Sequence, residues 1–318
     1  MDLPSEIKNY IENELNSESI RNIKEDAQDI SQNYRKNERK GNSLILKKSE
    51  AIAYAIARMP ATYGAISNAI EKTMEIYNPK INSVADIGAG TGSACIAVNE
   101  IMDVDEIDCF EREEVMLEVG REICSNYSPI KDKVSWNKLD IVNDTIDNKY
   151  DMVVSAYMIN ELKENQISDV IDKIWKMTND IVIIIEPGTV QGYNNIMKVK
   201  EKIIELGGNI ISPCMSKKCG LSKDDWCNFY CRVQRTKMHK NLKVGEASFE
   251  DEKFMYIAVT KKQINIDNKS RIIRHPLIYN GFIKLKVCNN EGVQEIRVTK
   301  KEKERFKIAK KAKHGDLV

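Results

Sequence analysis

At 318 residues the chain is long enough to bury a full α/β core and still carry appendages, and its formal net charge of +1 leaves only local charge clusters informative about partners. The longest aliphatic runs, such as Ile181 to Ile185, are far too short to span a bilayer, which argues against a membrane protein. Met1-Asp2-Leu3-Pro4 offers no basic-then-apolar leader, so a cytoplasmic location is expected, and with it free or ligating roles for the eight cysteines, since disulfides seldom persist there.

Residues 1–79 read as a helical region. The part up to about Gly41 is charged and Asn-rich, consistent with a peripheral helix pair. Ser49 to Met59 and Ala61 to Tyr77 carry small and apolar residues at intervals of three and four. Pro60 falls between them as a first-turn proline, so two helices are predicted, packed on a sheet and roofing a pocket.

Val84 to Ile87 read as a short buried strand and Ser93 to Ile101 as a helix, with Gly88, Gly90 and Gly92 in the turn between them. Glycines there let the backbone bend and approach a ligand without a Cβ in the way. The spacing is G-x-G-x-G, lacking the last glycine of the dinucleotide fingerprint, because Ser93 stands in its place. That favours a nucleoside without a pyrophosphate, and S-adenosylmethionine is the commonest such ligand. Ile107 to Glu111 form a second predicted strand, ending in an acid about 20 residues after the loop, where such folds place a ribose-binding carboxylate. Asp140, beyond a third strand at Val134 to Trp136, is placed to meet the adenine amino group. Asp86, Gly88, Ala89, Gly90, Gly92, Glu111, Asp140 and Ser155 are therefore the expected cofactor contacts.

Tyr150 to Ala156 and Asp180 to Glu186 give a fourth and a fifth strand, Gly207 to Ser212 a sixth, and Phe254 to Thr260 a seventh. Strands alternating with helical segments imply a mostly parallel, doubly wound sheet with its ligand at the strands' carboxyl ends. The acceptor of any transferred group should approach Ser155 to Glu161. Tyr157, Asn160 and Glu161 are the candidate catalytic residues, although a strand-end turn and a helix cap explain them equally well. Neither an Asn-Pro-Pro-Tyr box nor a Thr-Cys pair is present there to name an acceptor atom.

Cys95, Cys109 and Cys124 occupy strand or helix positions and read as small buried apolar residues. Cys214, Cys219, Cys227 and Cys231 instead crowd into a polar, turn-rich stretch, and Cys288 follows far down the chain. Paired C-x-x-C knuckles are absent, and the looser C-x4-C-x7-C spacing suits a loop wrapping an iron–sulfur cluster better than a zinc knuckle. Spacing alone does not choose between Cys227 and Cys231, which would share a face if helical. Past Lys261, short runs at Arg271 to Ile273, Phe282 to Val287 and Gln294 to Val298 predict a small β-module, followed by a lysine-dense helix from Lys300 to Lys313. That tail and the basic stretch Arg232 to Lys243, beside Phe229 and Tyr230, point together to a phosphate backbone, RNA in preference to DNA.

With these features placed, the chain resembles the bacterial-type members of the Rsm22-like family, methyltransferase-like proteins associated with the small ribosomal subunit, with mitochondrial relatives acting in ribosome assembly. The matching strings include Met59-Pro-Ala-Thr-Tyr-Gly-Ala-Ile, Asp86-Ile-Gly-Ala-Gly-Thr-Gly-Ser-Ala and Ile185-Glu-Pro-Gly-Thr. Asp225-Trp-Cys-Asn-Phe and Gly245-Glu-Ala-Ser-Phe-Glu-Asp-Glu-Lys-Phe complete them. The resemblance implies a class I methyltransferase-type sheet of seven strands. It also implies a 4Fe-4S cluster on Cys214, Cys219, Cys227 and Cys288 and work on the small subunit or its 16S-type rRNA; zinc is the alternative metal on the residues alone, and a monomer is expected when the protein is free. The expected organisation is residues 1–79 as N-terminal helices, 80–262 as the methyltransferase-like domain with an iron–sulfur insertion at 213–245, and 263–318 as the β-module. An assembly factor that keeps its cofactor pocket without turnover is the competing expectation. An iron–sulfur redox or radical enzyme ranks behind both, because radical use of S-adenosylmethionine normally needs a C-x3-C-x-x-C loop on a barrel, and neither is present.

Overall fold

The computed structural model describes residues 2–13, 45, 47–222, 224–235, 247–265 and 269–318. The expected peripheral helix pair falls almost wholly outside them, as do Lys237, His239, Lys240 and Lys243 of the first basic stretch. A short helix, α1 (Ser5–Asn13), precedes α2 (Lys48–Met74). The latter corrects the reading of two helices, because Pro60 lies inside one continuous helix. An interior proline forfeits a backbone hydrogen bond and costs about 3 kcal/mol. Here Met59, Pro60 and Ala61 are all buried, and the burial along that face outweighs the local penalty.

The central sheet then follows in chain order: β1 (Ser83–Ile87), α3 (Ser93–Ile101), β2 (Glu106–Glu111), α4 (Glu114–Ser125), β3 (Val134–Lys138), β4 (Tyr150–Ala156), α5 (Glu164–Met177), β5 (Thr178–Pro187), α6 (Val190–Glu205), β6 (Asn209–Ser212), β7 (Phe229–Gln234) and β8 (Phe249–Thr260). Seven strands lie in the order β3-β2-β1-β4-β5-β8-β6. β1 to β5 are mutually parallel, while β8 runs antiparallel to both β5 and β6. The order reverses between β1 and β4, the switch point at which open α/β sheets bind ligands. Strands β4 and β5 bury nearly every side chain, as a sheet covered on both faces requires.

β7 is an eighth strand beyond the seven expected. β6 pairs with Ala258 to Thr260, and β7 pairs with Phe249 to Phe254, farther along the same edge of β8. The cysteine-bearing segment thus leaves that edge at Ser212 and returns to it at Phe229. Cys231 is therefore in a strand, and the helical face it might have shared with Cys227 does not exist.

A second, antiparallel sheet closes the chain: β9 (Arg271–Ile272), β10 (Leu277–Tyr279), β11 (Phe282–Asn289) and β12 (Gly292–Thr299), with α7 (Lys303–Lys311) packed on it. Ile272, Ile283, Leu285, Val287, Val298 and Ala309 form its own small core. Arg271, fully buried, ties this sheet to the larger one. It donates to Gly315 O at 2.8 Å and to Ser212 Oγ at 3.1 Å, with Glu75 3.5 Å away. The whole is a class I methyltransferase-like α/β fold with a small C-terminal antiparallel sheet. Among the described residues, no helix is long and apolar enough to cross a membrane.

Candidate functional site

The glycine turn after β1 runs in the left-handed region at all three glycines, with φ of +74° at Gly88, +56° at Gly90 and +88° at Gly92. A Cβ on Gly88 would also come 2.8 Å from Met158 Cγ, so both conformation and space demand glycine there. Glu111, at the end of β2, holds the turn: its Oε2 accepts the Gly90 N–H and its Oε1 the Glu113 N–H, each at 2.8 Å. Burial raises the Glu111 pKa, and these backbone donors partly oppose the rise. Each oxygen keeps a second lone pair, and the residue also lines a cleft of about 180 Å³ at the strand ends.

Of the residues read from the sequence, Gly88, Gly90, Glu111, Asp140, Tyr157 and Glu161 line that cleft. Phe110, Met116, Leu139 and Ile141 add an apolar side, and Tyr54 of α2 contributes to the roof. Asp140 accepts the Val142 N–H at 3.0 Å and the Asn143 amide at 2.7 Å, which fixes the turn after β3. Asp86, Ala89, Gly92, Ser155 and Asn160 are not part of the wall. Asp86 is buried behind the turn, with Oδ2 unpartnered. Burial, then the nearby Cys95 and Glu111, push its pKa far up. Ser155 Oγ donates to Ile87 O at 3.0 Å and so clamps β4 to β1 at the switch point. Cys95, Cys109 and Cys124 are buried, as expected, with the Cys95 and Cys124 sulfurs 3.5 Å apart.

Tyr157 is one of only two non-glycine residues at positive φ among those described, at +63°. Such a conformation costs about 1 kcal/mol or more and is typical of sites under functional constraint. Its hydroxyl donates to Glu252 Oε1 at 3.0 Å, and Arg58 reaches the same carboxylate at 3.0 and 3.4 Å. Next to it, Glu186 is fully buried. Burial pushes its pKa up to about 8, offset only in part by the Asn195 amide, 3.0 Å from Oε2, and by the backbone of Asn160 and Ile159.

The second locus gathers thiols from two sheets. Cys214 follows β6, Cys219 is exposed in the excursion, Cys227 precedes β7 and Cys288 lies in β11. Burial pushes the Cys214 pKa up to about 11, and Cys288 and Cys219 add to the rise. Cys227 is raised by burial and then by the other three. Cys231 is pushed up to about 12 by burial and then by Glu252, its partner across the β7–β8 ladder, with no thiol among the main causes. The four residues Cys214, Cys219, Cys227 and Cys288 therefore share one neighbourhood, and Cys231 lies outside it. Among the described residues, no three His, Cys, Asp or Glu side chains converge tightly enough to hold a single metal ion.

A buried cation stands beside the four thiols. Lys200 of α6 is 2 % exposed and donates to Ser216 O at 2.8 Å, its charge opposes the rise of the Cys214 pKa, and no described carboxylate pairs with it. A buried ammonium without a counter-charge is costly, so a thiolate-rich anionic group is the chemistry this donor set fits. The loop is braced to the small sheet through Asp225. Lys286 Nζ reaches it at 2.8 Å, and Arg274 makes a close ion pair with it. Lys286 first and then Arg274 lower the Asp225 pKa.

The family model described as mitochondrial small ribosomal subunit Rsm22 matches residues 48–318. The chain belongs to the Rsm22 family. It is also similar to the human ribosome assembly protein METTL17, mitochondrial, at 24 % identity over 164 residues, 49 % of this chain. The match spans about a third, 35 %, of that relative's length. Among solved structures it is similar to the ribosomal protein L11 methylase of Lactobacillus delbrueckii subsp. bulgaricus, with 15 % identity, 62 % of this chain and 78 % of that one covered, and a TM-score of 0.39. Magnesium protoporphyrin IX methyltransferase from Synechocystis PCC 6803, with bound SAM, gives 12 % identity, coverage of 74 % and 97 %, and a TM-score of 0.42.

Two strings that signal Rsm22 membership meet in space. Trp226 Nε1 donates to Gly188 O at 3.4 Å, joining Asp225-Trp-Cys-Asn-Phe to Ile185-Glu-Pro-Gly-Thr. Within the latter, Thr189 caps α6 by accepting the Gly192 N–H at 3.1 Å. The basic stretch is only partly a free surface in this Rsm22-family chain. Arg232 pairs with Asp251 at 2.7 Å and Arg235 with Glu250 at 2.9 Å, across the β7–β8 ladder. The linear sequence missed Lys200, yet Ile196, Val199, Lys200 and Ile203 mark it as a lysine within the buried stripe of α6.

Proposed function

We propose that this chain is an S-adenosylmethionine-dependent methyltransferase-like protein that acts on the small ribosomal subunit or its 16S-type rRNA and carries a 4Fe-4S cluster. The observation that carries the reading is the glycine turn at the β1/β4 switch point, held open to a cleft by the Glu111 carboxylate. Gly88, Gly90, Glu111 and Asp140 would hold the nucleoside, with Phe110, Met116 and Leu139 as apolar packing. Asp86 and Ser155 act from behind, one beneath the turn and the other clamping its strands. S-adenosylmethionine supplies an activated methyl group, so the protein's own task is to position an acceptor and exclude water. Tyr157 and Glu161 line the side from which the acceptor would enter.

Cys214, Cys219, Cys227 and Cys288 would hold the cluster, and Lys200 would offset its negative charge. A thiolate-bound iron–sulfur centre supplies a rigid inorganic joint between the large and small sheets. A single zinc, at about 2.3 Å from each sulfur, would need the four thiols drawn much closer together than a four-iron cube does. Metal analysis of anaerobically purified protein decides the point. Iron with a broad absorbance near 400 nm supports the cluster, whereas stoichiometric zinc in a colourless sample rejects it.

A second reading, an assembly factor without turnover, is favoured by the engagement of the candidate acceptor groups. The Tyr157 hydroxyl is bound to Glu252 and Asn160 stands outside the cleft wall, which accounts for two of the three candidates, while Glu161 lines the cleft. Incubation with tritiated S-adenosylmethionine and immature small subunits separates the two. Labelled rRNA supports the enzyme, while binding without label supports the assembly factor.

A further inference from the structure

The outer end of the small sheet is used by neither the cleft nor the thiols. Register pairs Tyr279 with Phe282 and Leu277 with Lys284 across β10–β11, then Lys284 with Arg297 across β11–β12. Opposed residues of an antiparallel pair share a face, so these five line one side of the sheet. Ile283, Leu285 and Val298 turn the other way, into the core under α7. On the outward side the Tyr279 and Phe282 rings stack at 4.7 Å and 15°. From the strand on the opposite flank, the Arg297 guanidinium sits 3.8 Å from the Phe282 centroid. Tyr279 is 47 % and Leu277 49 % exposed, on a strand whose outer edge has no neighbour among the described residues.

Cations crowd the same end. The Lys300 N–H donates to Gly281 O at 3.1 Å, which sets Lys300 and Lys301 at the β10–β11 turn. Lys284 is paired with Glu295 at 2.8 Å, but among the described residues no carboxylate pairs with Arg297, Lys300 or Lys301. Exposed stacked aromatics interleaved with unpaired cations match the demands of unstacked bases and their phosphates. A strand from a protein partner would use the open edge but would leave those cations without anions.

We propose that this face is a stacking platform for a single-stranded segment of RNA, a reading that rests on the RNA partner argued above and assigns its contact surface. A base stacks on the exposed side of Tyr279 and extends the row Tyr279–Phe282–Arg297, while Arg297, Lys300 and Lys301 meet the phosphates. Duplex RNA does not fit, because its bases are already stacked on one another. The same outward face continues along β11 to Lys286, bonded to Asp225, and to Cys288. Strand β11 therefore carries both Phe282 of the platform and Cys288 of the thiol group.

Fluorescence anisotropy with the full chain, purified anaerobically, and a short labelled single-stranded RNA of mixed sequence tests this. Wild type is expected to bind that probe more tightly than the same sequence as a duplex. Tyr279→Ala should weaken binding roughly 5- to 150-fold, and Arg297→Ala should weaken it while flattening its salt dependence. Lys307→Ala, on α7 at the opposite face and ion-paired with Glu304, should change nothing. Both platform residues are surface-exposed, so superimposable thermal melts exclude misfolding as the cause. If wild type binds the probe and both platform variants bind it equally well, the platform is refuted while the RNA reading stands. If wild type binds no RNA at all, that underlying reading fails first. Association with nuclease-treated subunits that Tyr279→Ala abolishes would assign the face to a protein and also overturn the proposal.

Discussion

Glu186→Gln tests the electrostatics of the core beside the cleft. Glu186 is fully buried, and its pKa of about 8 in the folded chain lies well above its usual value of 4.5. The folded state thus holds this proton more tightly than the unfolded state. Below the unfolded value both states are protonated and the group costs nothing. As pH rises from about 4.5 to about 8, the unfolded chain releases the proton first and native stability falls, at up to about 1.4 kcal/mol per unit. Across three and a half units the loss approaches 5 kcal/mol. Glutamine retains an oxygen for the Asn195 amide and does not ionise, so the variant should lack this slope. Urea unfolding at several values between pH 5 and 9 reads it directly. The stability difference in favour of Glu186→Gln should grow with pH and level off above about 8. Parallel pH profiles for the two proteins would refute the reasoning.

Three further outcomes are expected. Glu111→Ala removes the acceptors of the Gly90 and Glu113 N–H groups and should weaken S-adenosylmethionine binding at least tenfold by calorimetry, leaving iron per chain unchanged; loss of both would mean the two loci are not independent. Arg271→Ala strands Gly315 O, removes one partner of Ser212 Oγ and leaves a cavity, so denaturant unfolding should show a loss of about 4 kcal/mol. Gly192→Ala should abolish soluble expression, because its Cβ would sit 2.0 Å from Pro187 O, whereas Gly207→Ala, with open space but φ of +85°, should cost only about 1 kcal/mol in the same assay.

The sheet was legible because its strands are short apolar runs between turn signals, and α3 was read to the residue because the glycine turn marks its start. Pro60 misled because a local rule was overridden by burial on both sides of it. β7 is masked in the sequence by the cysteines and turn formers around it, although Phe229, Cys231 and Val233 are buried in alternation with exposed Tyr230, Arg232 and Gln234, a plain period of two. The candidate cofactor residues divided by depth, which spacing does not encode. Glu111 and Gly90 face the cleft, whereas Asp86 and Ser155 support it from behind. The grouping of Cys288 with three thiols more than 60 positions away depended on how the small sheet docks, a matter of tertiary contacts such as Arg271 and Asp225.

The excursion between β6 and β7 departs from one border of the sheet and rejoins the same border a few rungs along. Such a detour makes no topological demand on the strands beneath it. Relatives are thus at liberty to lengthen or shorten the spans between its thiols without rewiring the scaffold. Insertions in this family should accumulate in those spans sooner than at the glycine turn.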